Sequence, residues 1–354
     1  MSNRTFPDRF ILFLLISAAA SFVLPPAWAA TLVVANKAEA TASLINLESG
    51  EVVATLPTGE GPHEVGISPN GQYALVSNYG SRGKSGNSLT LIDIPAAKVV
   101  KTIDLGDYRS PHGVEWLDDG RAAVTVEANQ ALIVVNVEEG TVTRSIATDQ
   151  RVSHMVSLDP DRQRAYTSNM GSGSVTVINL ETGERLKNIA TGNGAEGITV
   201  SLASGHIWVT NRDDDTLTIL DAETYAPIKE MPSKGFPIRA TATPKGQVLV
   251  TRARAGELVV YDETTFDEVH TVAFDIDSMG AEGRLFGDRF GDSSVPIGVV
   301  VDDTGDHAFV AHANADVITE VDLSTGEITR LLHAGREPDG MGYSVLTPGV
   351  VPAN

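Results

Sequence analysis

Three histidines, His63, His112 and His154, stand at matching points of a recurring pattern, each directly after a Pro or Ser that precedes an apolar-alternating run. The same point is filled by Glu196, Ile238, Ile297 and Asp339 in later copies. Imidazoles converging from neighbouring copies could ligate copper, zinc or iron, and three of them with an open position form the donor set of a reactive metal. Polar residues at one repeat position can equally line a wet channel and hydrogen-bond the neighbouring copy. The residues alone leave both readings open.

The pattern that positions these side chains is a repeat. Its register marks are Pro62, Pro111, Ser153, Ala195, Pro237, Pro296 and Pro338, with successive spacings of 49, 42, 42, 42, 59 and 42 by subtraction. Residues 195–236 show the unit most clearly. Four short runs, among them Gly197-Ile198-Thr199-Val200, His206-Ile207-Trp208-Val209 and Thr216-Leu217-Thr218-Ile219, are separated by turn residues. Apolar alternation in short runs reads as antiparallel strands. Four strands every 42 or so residues is the signature of a propeller blade. The chain therefore reads as an all-β, seven-bladed β-propeller of four-stranded antiparallel blades. Thr31-Leu32-Val33-Val34-Ala35-Asn36 matches a second strand and Gly340-Met341-Gly342-Tyr343-Ser344-Val345 matches a first. The C-terminal strand is thus expected to complete the blade that the N-terminal strands start, removing an exposed edge.

Turns rich in Asx and Gly, such as Ser68-Pro69-Asn70-Gly71 and Asn179-Leu180-Glu181-Thr182-Gly183, join first to second and third to fourth strands. Compact hairpins of this kind belong on one structural rim. Both irregular insertions fall on the other rim. One is Ser81–Asn87, in a second-to-third connection; the other is the loop at about 275–294, before Pro296. Loops that vary on a rigid scaffold are where binding chemistry concentrates. Arg284, Phe286, Arg289 and Phe290 in the long insertion are of the types that anchor partners or close a lid.

Trp208-Val209-Thr210-Asn211 followed by Asp215-Thr216-Leu217-Thr218-Ile219-Leu220-Asp221, and Tyr166-Thr167-Ser168-Asn169 followed by Ser174-Val175-Thr176-Val177-Ile178-Asn179, resemble the Tyr-Val-Thr-Asn repeat of the YVTN family of bacterial β-propellers. The resemblance extends over the whole of residues 30–354. It implies a seven-bladed, exported protein of the periplasm or surface layer. Fold alone does not fix activity. Some relatives are associated with quinone-dependent dehydrogenase systems or nucleic acid, and one branch resembles a copper-bearing propeller. The asparagine column reads Asn36, Asn78, Glu127, Asn169, Asn211, Ala253 and His312, and is expected on the rim that carries the histidines.

Residues 1–29 read as a cleaved signal peptide, with Arg4 and Arg9 before an apolar run from Phe10 to Leu24 and an Ala27-Trp28-Ala29 cleavage signal. That run is shorter than the roughly 20 residues of a membrane span. With no cysteine, stability rests on packing and ring closure. The net charge of -20 disfavours nucleic acid, which wants a basic stripe. No Gly-x-Ser-x-Gly elbow or helix-opening Gly-x-Gly-x-x-Gly occurs, and Asp213-Asp214-Asp215 lacks the remaining ligands of a calcium loop. His206 and His307 fall on the opposite rim.

Two functions remain. The first is an exported binding or scaffold module that takes a periplasmic protein or small-molecule partner on its insertion-bearing rim. Its candidate contacts are Glu127, Glu196, Asp339, Arg284, Phe286, Arg289 and Phe290. The alternative is a metal-dependent enzyme or redox accessory protein using His63, His112 and His154, with His312.

Overall fold

The computed structural model describes Met1 and residues 30–279, 283, 284 and 286–349. The expected signal peptide and its cleavage point lie outside these residues. The chain forms seven sheets of four antiparallel strands. Six are built from consecutive strands. In the seventh, Pro338–Ser344 pairs with Thr31–Asn36, which continues into Thr41–Asn46 and Val52–Pro57. The ring is closed as the end strands predict. Blades are numbered 1 to 7 below from their first strands at Pro62, Pro111, Ser153, Ala195, Pro237, Pro296 and Pro338.

The second and third strands are sandwiched between neighbouring blades and read as continuous apolar runs, as in Ala131–Asn136. The fourth strands face water on one side and alternate, as in Pro227–Pro232. The core lies between blades. Trp208 of blade 4 packs against Tyr261 and Phe266 of blade 5, ring centroids 5.7 and 5.6 Å apart. Each such fully buried apolar side chain stabilises by about 1.5–3 kcal/mol.

Two local devices aim the first strands. The residue before each register mark, Gly61, Ser110, Val152, Gly194, Phe236, Val295 and Glu337, has a positive φ and turns the chain sharply toward the axis. A bulge then follows in all seven first strands, where two residues oppose one. The amide freed by the bulge is taken by the residue before the asparagine position. Thr210 Oγ1 accepts from Gly197 N at 2.8 Å and donates onward to Ile238 O of the next blade at 3.3 Å. Thr251 does the same between Arg239 N and Ile297 O. The threonine of the repeat is an inter-blade strap.

The asparagine serves the other side. Asn211 Nδ2 donates to Thr216 and Thr218 at 3.1 and 2.9 Å, and Asn78 Nδ2 to Ser88 and Thr90 at 3.0 Å each. Replacing Asn211 with Ala should cost about 2 kcal/mol by stranding these buried hydroxyls, read as a lower urea midpoint at unchanged m-value. A loss below a few tenths would show that water satisfies them instead.

Strand pairing corrects the asparagine column in two blades. Pro111 faces Val126 and Pro237 faces Arg252, so Glu127 and Ala253 lie one residue beyond it. Counting cannot see this, because equivalence is set by the ladder and the connections differ in shape. Arg252 takes over the asparagine's bonding, reaching Ser233, Tyr261 and Glu268. The Ser81–Asn87 insertion is not a loose loop. It lengthens a hairpin made by Tyr73–Ser81 and Lys84–Asp93, with Arg82 and Gly83 at its tip.

Candidate functional site at the channel mouth

The bulges tip the second residue of each first strand into the mouth of the axial channel. His63, His112 and His154 form a stack there, with ring centroids 4.0 Å apart between the first two and 3.7 Å between the last two. Glu196 and Asp339 complete the polar side, and Ile238 and Ile297 the apolar one. A second ring lies one residue past the asparagine position. It brings in Lys37, Tyr79, Glu127, Met170 and Arg212, which line the same cavity of about 230 Å³. Apart from Glu127, the sequence reading missed this ring. Lining up the column after the asparagine would have exposed its unusual load of charged and polar side chains.

The charges are paired. Lys37 Nζ lies 2.7 Å from His63 Nε2 and 3.1 Å from Asp339, while His63 Nδ1 sits 2.9 Å from Asp339, off the line of a good hydrogen bond. His154 Nδ1 contacts Glu127 at 2.5 Å, and Tyr79 donates to the other oxygen of Glu127 at 2.6 Å. Glu196 takes Arg212 and, at 3.3 Å, Arg239. Burial alone would lower the His154 pKa, but the carboxylates of Glu127 and Glu196 outweigh it and hold the ring protonated beyond the usual imidazole range. Burial likewise opposes ionisation of Glu196, yet Arg212 and His154 bring it down to about 2. Asp339 is also held well below the ordinary range, against burial, by His63 and Lys37.

His112 is the exception. It has no accessible surface, and neither ring nitrogen has a hydrogen-bond partner. Burial, followed by the neighbouring His154 and His63, pushes its pKa far below the normal value, so the ring is neutral. A buried polar group left bare in a charged cluster needs an explanation. Donor atoms of His112, Glu127 and His154, and separately of His63, Glu64 and His112, lie within 4.8 Å of one another.

His312 does not join them. Its Nε2 contacts Thr319 Oγ1 at 3.0 Å and its Nδ1 contacts Ser294 Oγ at 2.9 Å, with Phe274 edge-on at 4.6 Å. It does the asparagine's work inside blade 6, so its place in a metal cluster is corrected. The long insertion folds down against blades 4, 5 and 6. Phe290 is buried against Phe236 at 4.9 Å, Arg289 lies over Phe236 at 4.6 Å, and Arg284 forks onto Asp316 at 2.6 and 2.8 Å. These three are occupied in holding the insertion. Phe286 alone of the four reaches the cavity wall. Asp214 and Asp215 cap backbone amides of Asn193 and Phe236, which accounts for the acid run.

Below the histidines the axis is crossed by charge. The third position of the first strands carries Gly113, Gly197, Gly298 and Gly340 in four blades, where a Cβ would strike the next blade, at Asp339 O in the case of Gly298. Blades 1 and 5 carry Glu64 and Arg239 instead, and these meet as a buried ion pair. Arg239 borders both the mouth and a second axial cavity of about 500 Å³ beneath it, and Glu64 lines the lower one.

Ring and blades define a seven-bladed β-propeller with a histidine-lined mouth. Residues 27–123 match the family described as YNCE-like beta-propeller. The chain is similar to Protein NirF of Pseudomonas aeruginosa, 24% identical over 186 residues, which are 50% of this chain and 47% of that protein. The match thus spans about half the length of the relative. Two solved structures share the fold. Kuenenia stuttgartiensis Hydrazine Synthase aligns with a TM-score of 0.66 at 17% identity, over 83% of this chain and 92% of that one. Dihydro-heme d1 dehydrogenase NirN in complex with DHE aligns at 0.63 and 14%, over 93% and 78%. Among the described residues no helix is long and apolar enough to cross a membrane.

Proposed function

We propose that the protein is an exported binding module that takes a transition-metal centre, copper, zinc or iron, at its channel mouth. The observation that carries this is His112, neutral and bare at both nitrogens between two further imidazoles. A metal ligand must be deprotonated, and His112 already is. A protonated His154 would have to give up one ring proton to join, and could keep the other on Glu127, so uptake releases a proton and affinity rises with pH through the raised His154 range. The donor set of imidazole with carboxylate suits zinc, copper and iron and is ill suited to magnesium. The NirN structure is a complex with DHE, so a heme-type ligand is a second form of the same centre to be tried. Export rests on the N-terminal segment as read from sequence.

The test is calorimetric titration of the purified protein with Zn(II) and Cu(II), and hemin followed by its Soret band. His112→Ala should weaken binding by about 100-fold or more, which is about 2.7 kcal/mol. His112→Gln, closer in shape, guards against loss of fold and should behave alike. Metal uptake unchanged in both variants would sink the proposal and leave the stack as a polar lining.

A further inference from the structure

The fifth residue of each first strand, four places beyond the register mark, forms a ring of its own below the Glu64–Arg239 pair. In chain order the ring is Gly66, Glu115, Ser157, Thr199, Thr241, Val300 and Gly342, and all of them line the lower axial cavity of about 500 Å³. Packing or strapping between blades accounts for every member but one. A Cβ on Gly66 would lie 2.9 Å from Val114, and one on Gly342 2.6 Å from Ile67, so neither place has room for a side chain. Ser157 and Thr199 accept from the amides of Val200 and Ala242 at 3.0 and 3.1 Å, and Thr241 donates to Val299 O at 3.1 Å. Each hydroxyl thus ties its blade to the next. Val300 packs on the core between blades 6 and 7.

Glu115 is the member left over. Its carboxylate makes no hydrogen bond or ion pair with any described residue, and its side chain is exposed although it stands on the innermost strand of blade 2. The surface it shows faces the cavity. Burial pushes its pKa up to about 7, and the nearby Glu64 adds to the rise. Such a group neither braces the fold nor hydrates the outer surface, and its ionised form is destabilised where it stands.

The cavity holds an excess of negative charge. The charged side chains on its walls are Glu64, Glu115, Asp303 and Arg239. Arg239 is shared between Glu64 and, above it, Glu196. Asp303, on a hairpin turn at the lower rim, accepts from Tyr343 Oη at 3.3 Å. An anion is repelled by this set, and a cation is drawn to Glu115. Calcium takes about six to eight oxygen ligands, which a single free carboxylate does not supply. The volume is far larger than an ion and lies in the range of about 300–1,000 Å³ usual for small organic ligands. Met155 and Val300 add apolar contact on the same walls.

We propose that the lower axial cavity is a binding site for a small primary alkylammonium ion, its head on the Glu115 carboxylate and its carbon chain against Met155 and Val300. The site is bordered by Ser68, Pro69 and Gly71 of the hairpin rim, opposite the histidine mouth, and needs no metal there.

The probe is n-butylammonium chloride, titrated into the full chain by calorimetry at about pH 8, above the range in which Glu115 takes up a proton. The controls are 1-butanol and potassium chloride. Binding of the ammonium is expected, with neither control binding in its place. Glu115→Gln should weaken it by about 10-fold or more, the loss of a charge-assisted hydrogen bond. That variant removes a bare charge, so its urea midpoint is expected at or above the parent's, which checks that the fold is kept. No binding up to about 10 mM probe, an equal response to the alcohol or to potassium, or affinity unchanged by Glu115→Gln would each overturn the site.

Discussion

Replacing Arg239 with Met is expected to destabilise the protein by about 3–5 kcal/mol, the cost of leaving a buried charge without its partner. Arg239 stands among three buried acids, and they are not equally exposed to its loss. Glu196 keeps Arg212 and His154, and Asp339 keeps Lys37 and His63. Among the described residues Glu64 keeps only His63, at 3.8 Å. The damage should therefore concentrate on Glu64 and be largely undone by Glu64→Gln in the same chain. A double-mutant cycle by urea denaturation should return a coupling of about 2 kcal/mol or more. If Arg239→Met stays within about 1 kcal/mol of the parent at neutral pH, the pair merely breaks even and is kept for another reason.

The second large effect concerns acid stability. His312 is buried, and burial alone brings its pKa down from 6.5 to about 3. The unfolded chain binds a proton there below pH 6.5, while the folded chain refuses it until about pH 3. Stability is therefore full above pH 6.5 and is lost as pH falls toward 3. At pH 4 the loss from this one group is about 3 kcal/mol, from 2.5 units at about 1.4 kcal/mol each. His312→Asn restores the side chain found at the equivalent place in blades 1, 3, 4 and 7. It should be slightly less stable than the parent at pH 7, where it leaves space beside Phe274, and clearly more stable at pH 4. His112 contributes its own acid sensitivity to both proteins and cancels in the comparison. Parallel stability curves from pH 7 to pH 4 would show that His312 is not the sensor.

Much of this fold was legible because each blade repeats the same alternation and the same Asx–Gly turns. Seven register marks sufficed to place the first strands, and the sequence alone brought His63, His112 and His154 to one mouth. The pairing of the end strands followed from the same marks. What escaped was set by hydrogen-bond register and by contacts far apart in sequence. By count along the sequence Glu127 reads as a substitute for asparagine. It lies there because it falls one residue past that position, where side chains point to the axis instead of into the blade. His312 was drawn toward the cluster by its residue type, but its ladder partner Pro296 places it where asparagines normally bind. The Glu64–Arg239 pair joins residues 175 apart, and no local pattern announces it. The insertion arginines look alike in sequence, yet Arg284 is locked to Asp316 whereas Arg82, on the other insertion, has no ion-pair partner among the described residues.

That ion pair has a consequence for traffic through the molecule. A ring of seven blades is by construction a tube, and solute entering one face would ordinarily be free to leave by the other. Glu64 and Arg239, paired across the bore, stand between the mouth and the lower cavity, and Arg239 borders both. An ion pair at that point narrows passage from one face to the other, while Phe286 lies on the wall of the mouth. The lower cavity, with Glu115 among its walls, is left facing the opposite solvent as a separate compartment. A solute in the mouth thus meets charge on the side of the axis and Phe286 on the side of the insertion.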